Sequence, residues 1–254
     1  MTHALIYVLV FMGLQAGTAL IVQALWKLVT GTGDLTAVQL MTTTAIFSVL
    51  TLVVFLWSRW AELSPRWLRT RQWMTLSWAV IAALGAIIPA LWLQEQMPEL
   101  PNLIEEQFTM ILTTPWGYVA VGLLAPFAEE VVFRGAVLRH LLTTRLSPLA
   151  AVVLSALLFA VAHLNPAQMP HAFLVGLLLG WMYWRTGSIL PGMAYHWANN
   201  SVAYVIANVY PNPDIRLVDI FQSTTHVYLA LCFSMLILLP ALYQLNVWMK
   251  RAKH

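Results

Sequence analysis

Apolar residues gather in eight blocks along the chain, at about 4–29, 37–58, 73–94, 115–142, 148–164, 168–185, 188–209 and 225–249. Turn-forming residues separate them: Gly31-Thr32-Gly33-Asp34, Ser64-Pro65, Pro98 with Pro101, Ser147-Pro148, Asn165-Pro166, Gly187 and Pro211-Asn212-Pro213. A helix needs about 20 apolar residues to cross a bilayer. Backbone in lipid must satisfy its own polar groups, so these blocks predict helices rather than strands. The expected fold is all-α, a polytopic membrane helix bundle with about eight transmembrane helices in a single integral membrane domain, 1–254. The first block is too long for a signal peptide and lacks a small-residue cleavage site, so it is expected to stay. No repeat or low-complexity tract interrupts the series.

Composition agrees with the pattern. The 254 residues are 60% apolar and 9% charged, against about 25% charged in a soluble domain. Mean hydropathy is +0.75. Such a chain cannot coat a soluble surface, which excludes a soluble enzyme, a disordered chain and a nucleic-acid binder. One cysteine, Cys232, provides no internal disulfide and no zinc or redox motif; among apolar residues it is expected to be buried and inert.

The few charges sort by side. Arg59, Arg66, Arg69, Arg71, Arg139, Arg145, Arg185, Lys250, Arg251 and Lys253 fall in alternate connections and the tail. The other connections carry Asp34, Glu95, Glu99, Glu105, Glu106, Asp214 and Asp219, with Arg216 the sole cation. Positive loops remain inside, so a multi-pass protein of the cell membrane with both termini cytoplasmic is expected. Lys27, near the outer end of block one, is the exception and can snorkel.

Ionisable groups within the blocks are costly and mark function by default. Block four holds Glu129-Glu130-Val131-Val132-Phe133-Arg134. Glu130 and Arg134 are four apart and can pair across a helix face, either as a structural clamp or as part of a site. Glu129 points about 100° away and has no local partner. Block five ends with Phe159 and, four residues on, His163; block seven has His196 and, four on, Asn200. A histidine in a membrane helix can equally serve helix–helix hydrogen bonding. Together the set can do chemistry: a buried Glu as general base, a His to hold water, and a His and an Asn to donate to an oxyanion. That suits acyl hydrolysis without a covalent intermediate.

The strings Glu129-Glu130-x-x-Phe133-Arg134-Gly135, Phe159-x-x-x-His163 and His196-x-x-x-Asn200 resemble the three motifs of the CPBP family. These are CAAX prenyl endopeptidase-like and bacteriocin-processing membrane proteases. Tyr183-x-x-Thr186-Gly187-Ser188-Ile189 also resembles family members, and the motif-bearing core is about 115–208. The resemblance implies an intramembrane glutamate endopeptidase that cleaves a membrane-associated protein or peptide. Glu129 would activate water with help from His163, His196 and Asn200 would form the oxyanion hole, and Glu130, Arg134 and Phe159 would support them. It implies the lipid bilayer as surroundings; no cofactor, metal or nucleic-acid partner is expected.

The rival class is a non-catalytic polytopic protein: a bacteriocin immunity or regulatory partner, or a transporter, since buried Glu, Arg and His also line transport paths. Paired repeats with broken helices, expected of a transporter, are not found. A zincin's His-Glu-x-x-His is absent, although a Glu and two His remain a conceivable zinc set. Gly31-Thr32-Gly33-Asp34 matches an aspartyl-protease pattern by chance. Ser155 is expected to pack or to bond backbone. His140 and His171 are expected at the interfaces, and Gly176 and Gly180 to permit close packing.

One difficulty concerns depth. On ideal helices Glu129, His163 and His196 do not converge unless helices tilt, break or sit short of the full bilayer; Pro126 could kink block four, and Pro191 could start block seven deeper.

Overall fold

The computed structural model describes residues 2–62, 72–212 and 215–251, without the side chains of Lys250 and Arg251. The Ser64-Pro65 turn, Arg66, Arg69, Arg71, Pro213, Asp214, Lys253 and His254 lie outside the described residues, as do the Lys250 and Arg251 charges. Among the described residues every regular element is helical. α1 is Thr2–Thr30, α2 Ala37–Trp57, α3 Trp73–Glu95 and α4 Glu105–Leu112. α5 runs over 118–141, α6 is Pro148–Ala162, α7 Met169–Thr186, α8 Leu190–Val209, α9 Leu217–Phe221 and α10 Thr224–Arg251. Each apolar block thus becomes one helix. The short α4 and α9 are additional, in connections the sequence reading left without structure.

Local chemistry accounts for the ends. Thr36 caps α2 by accepting from the Gln39 N–H, and Ser147 caps α6 by accepting from Ala150 N–H just before Pro148. Gly187 closes α7 at φ 65°, a left-handed turn that suits glycine.

Among the described residues four helices are long and apolar enough to cross a membrane: α1, α2, α3 and Thr224–Met249 of α10. They expose broad apolar faces, including Leu20, Leu28, Phe233 and Leu236. Trp57, Trp73 and Trp116 lie exposed near helix ends, as interfacial aromatics do. Cys232 is exposed on α10, which corrects the expectation of burial: it falls on the helix's outward face.

Two clusters make the core. One joins α1, α2, α5, α6 and α7 around Phe11, Phe55, Phe133, Leu138 and Phe159. The other joins α3, α7, α8 and α10 around Ala79, Ala82, Ala83, Leu179 and Leu245. Small residues set the close crossings. A Cβ at Gly176 would sit 3.0 Å from that of Ala156, and one at Gly85 would sit 2.8 Å from the Leu238 nitrogen.

Contacts also sort the connections into two ends. At one, Arg139 pairs with Glu62, and the ring of His3 approaches that of His140. At the other, Asn165 accepts from Leu103 N–H and donates to Asn102, and Leu217 N–H donates to Glu95. The sorting follows the alternation of the helices.

Candidate active site

α5 is wound unevenly. Tyr118–Leu124 and Val131–Leu138 are π-helical, with α-helical Ala125–Glu130 between them and Arg139–Leu141 after. Wider turns expose carbonyls to neighbouring helices. In the π register the carbonyl of Val121 would be met by residue 126, but Pro126 has no N–H. The Asn200 amide of α8 donates to that carbonyl instead, at 3.0 Å. Likewise the Ser155 hydroxyl of α6 donates to the Phe133 carbonyl at 3.1 Å, the backbone role expected of it.

The two adjacent carboxylates have different surroundings. Glu130 and Arg134 are fully buried. Arg134 Nη1 donates to Glu130 Oε1 at 2.7 Å, and Nη2 donates to the Gly176 carbonyl at 3.2 Å. The guanidinium lies 4.5 Å from the centre of the Phe159 ring, a cation–π arrangement. Glu130 and Arg134 therefore neutralise each other locally, as their spacing predicts. Glu129 is 20% exposed, and the structure supplies the partner its helix lacks: Oε2 stands 3.6 Å from His196 Nε2.

His196 joins the two. Its Nδ1 lies 3.2 Å from Glu130 Oε1. With Nδ1 donating to that oxygen, Nε2 is the ring nitrogen that faces Glu129. His163 follows the last residue of α6, and its Nδ1 donates to the Phe159 carbonyl at 2.9 Å. The rings of His163 and His196 flank that of Phe159, at 4.8 and 5.9 Å between centres, both edge to face. The short α6 answers the depth problem. Its 15 residues rise about 22 Å, so its end reaches the neighbourhood of a site in the middle of α5.

The structure thus gathers Glu129, Glu130, Arg134, Phe159 and His196, with His163 against Phe159 and Asn200 one turn beyond His196. Glu129 meets His196, where the sequence reading paired it with His163. His171 was read as interfacial. It lines a cavity of about 190 Å³ with Tyr195, Pro89 and Leu238, within electrostatic reach of His163 and His196. Its isolated position beside Pro170 gave no signal of this. Among the described residues no three His, Cys, Asp or Glu side chains come together in a metal-ligand arrangement.

Comparison with known proteins bears on this region. Residues 111–202 match the model of a family described as Type II CAAX prenyl endopeptidase Rce1-like. The segment contains α5 to most of α8, with Glu129, Glu130, Arg134, Phe159, His163, His196 and Asn200, and its match to that family model agrees with the resemblance that the motifs carry. It supports a membrane endopeptidase of the CAAX-protease type. No curated protein and no solved structure matches the chain.

Proposed function

We propose that the protein is a multi-pass intramembrane endopeptidase that cleaves a membrane-associated protein or peptide using water activated by Glu129. The observation that carries this is the imidazole of His196 held between two carboxylates, one paired with Arg134 and the other, Glu129, partly exposed beside Nε2. Glu129 takes a proton from water as the water oxygen attacks the peptide carbonyl. His163, with its Nδ1 proton committed to Phe159, offers Nε2 to hold that water. The carbonyl oxygen becomes an oxyanion, which meets the second N–H of the Asn200 amide. The proton on Glu129 passes to His196 Nε2, which donates first toward the oxyanion and then to the leaving nitrogen as the C–N bond breaks. A carboxylic acid and an amine result, and Glu129 is again a carboxylate.

The remaining features of this reading are eight crossings, both termini cytoplasmic, the motif-bearing helices within the bilayer and no bound cofactor. The sorting of connections into two ends and the arginine asymmetry support the topology.

The test is peptidase activity of the detergent-purified protein on membrane-peptide libraries, wild type against Glu129→Gln. The variant keeps the side-chain shape but accepts no proton. It is expected to lose turnover, retain folding and trap substrate for mass spectrometry. Full activity in Glu129→Gln would sink the mechanism.

A further inference from the structure

Glu130 is held at one oxygen by Arg134 and His196. Its other oxygen, Oε2, turns toward α8 at Gly192, where a Cβ would stand only 2.7 Å away. Real side chains do not tolerate that approach. The same Cβ would be 3.6 Å from the Glu130 carboxyl carbon and 3.7 Å from Leu179 Cδ2, and the carboxylate is fully buried and held at Oε1 by Arg134 and His196, so moving away disturbs those bonds. Gly192 and His196 are four apart on α8 and face the same carboxylate from one side of the helix.

We infer that Gly192 is a positioning residue of the site: its missing side chain admits the Glu130 carboxylate against α8 at the place where Oε1 takes the Nδ1 proton of His196. The inference rests on the reading that His196 takes part in the reaction. Three contacts follow in sequence: glycine admits the carboxylate, the carboxylate selects the tautomer, and the tautomer turns Nε2 to Glu129. Any side chain at 192 pushes Glu130 back toward Arg134. The Nδ1–H bond then lengthens, and the imidazole is free to turn or to carry its proton on Nε2 instead. A misplacement near 1 Å in a site can cost about 100-fold in turnover.

The experiment is a double-mutant cycle on the full-length protein in detergent: wild type, Gly192→Ala, Glu130→Asp and the doubly substituted protein. Glu130→Asp withdraws the carboxylate by one methylene and makes room for the alanine methyl. Two quantities are read: kcat and KM for peptide cleavage, and the ¹⁵N signals of labelled histidine, with His196 assigned from a His196→Gln sample. Gly192→Ala is expected to lower kcat by up to about 100-fold, leave KM little changed, and shift the His196 signals away from the Nδ1-protonated tautomer. In the Glu130→Asp background the same alanine should change neither quantity. Wild-type His196 signals in Gly192→Ala would overturn the inference, and so would an equal loss in both backgrounds. Should Gly192→Ala fail to fold, the two proteins carrying Glu130→Asp are compared directly: matching imidazole signals support the inference and differing ones refute it. The imidazole readout needs no turnover. A protein without peptidase activity whose His196 responds as described would therefore count against the protease and not against Gly192.

Discussion

The helices flanking the motif region and the helices that carry it are built on different terms. α1, α2, α3 and α10 are long and apolar, and they present wide faces of Leu, Ile, Val and Phe outward. Their contacts are close crossings of small residues, as where Gly85 meets the Leu238 backbone. α5 to α8 are shorter or more polar, and α5 departs from the α-helix over much of its length. In this half, polar side chains serve neighbouring helices: Asn200 at Val121, Ser155 at Phe133, Arg134 at Gly176. A flanking helix can lose a side chain to lipid at little cost, because lipid is as apolar as what it replaces. A motif helix cannot, because each polar group it leaves behind is stranded where water does not reach.

Four substitutions sharpen or break this contrast. The largest effect should come from Arg134→Ala, which leaves the Glu130 charge buried and unpaired at a cost of about 3–5 kcal/mol. Thermal unfolding in detergent should show a large fall in Tm together with lost yield; normal stability would make Arg134 a substrate group and not a structural partner. Next is Asn200→Ala. It removes a proposed oxyanion donor, worth about 10²–10³ in turnover, with a residual rate above that of Glu129→Gln. Single-turnover assays separate the two, and identical rates would remove Asn200 from the oxyanion role. Gly85→Ala comes third. Its methyl meets the Leu238 backbone, and such overpacking costs about 1–3 kcal/mol, lowering Tm while kcat per folded molecule holds. Smallest is Leu236→Ala on the exposed face of α10, expected within about 0.5 kcal/mol of wild type; a destabilisation as large as that of Gly85→Ala would mean that this face packs on protein and not on lipid.

The same contrast sets what could be read from the sequence. Hydropathy is a local property, so all eight helices were legible to within a few residues, and so were the pairs four apart, Glu130 with Arg134 and Phe159 with His163. What depends on distant partners was not. The approach of Glu129 to His196 crosses 67 positions of sequence. The π-winding of α5 leaves no period of its own, and Pro126 suggested a kink where the chain instead hands a carbonyl to Asn200. Gly192 carries no signal in the sequence, because the carboxylate it admits belongs to a distant helix. Cys232 showed apolar neighbours in sequence, but not which face of the helix it was on.

The shortness of α6 has a consequence for the surrounding membrane. Under the eight-crossing reading, this helix has Leu149, Leu157 and Val161 turned outward, but its rise of about 22 Å falls about 8 Å short of a typical hydrocarbon thickness near 30 Å. A mismatch of that size is relieved by thinning the bilayer around the short element. Headgroups and their water are then drawn inward at the end of α6 that carries His163. A hydrolase embedded in oil needs a supply of its second substrate, and here the deficit in helix length would bring water to it without a dedicated channel.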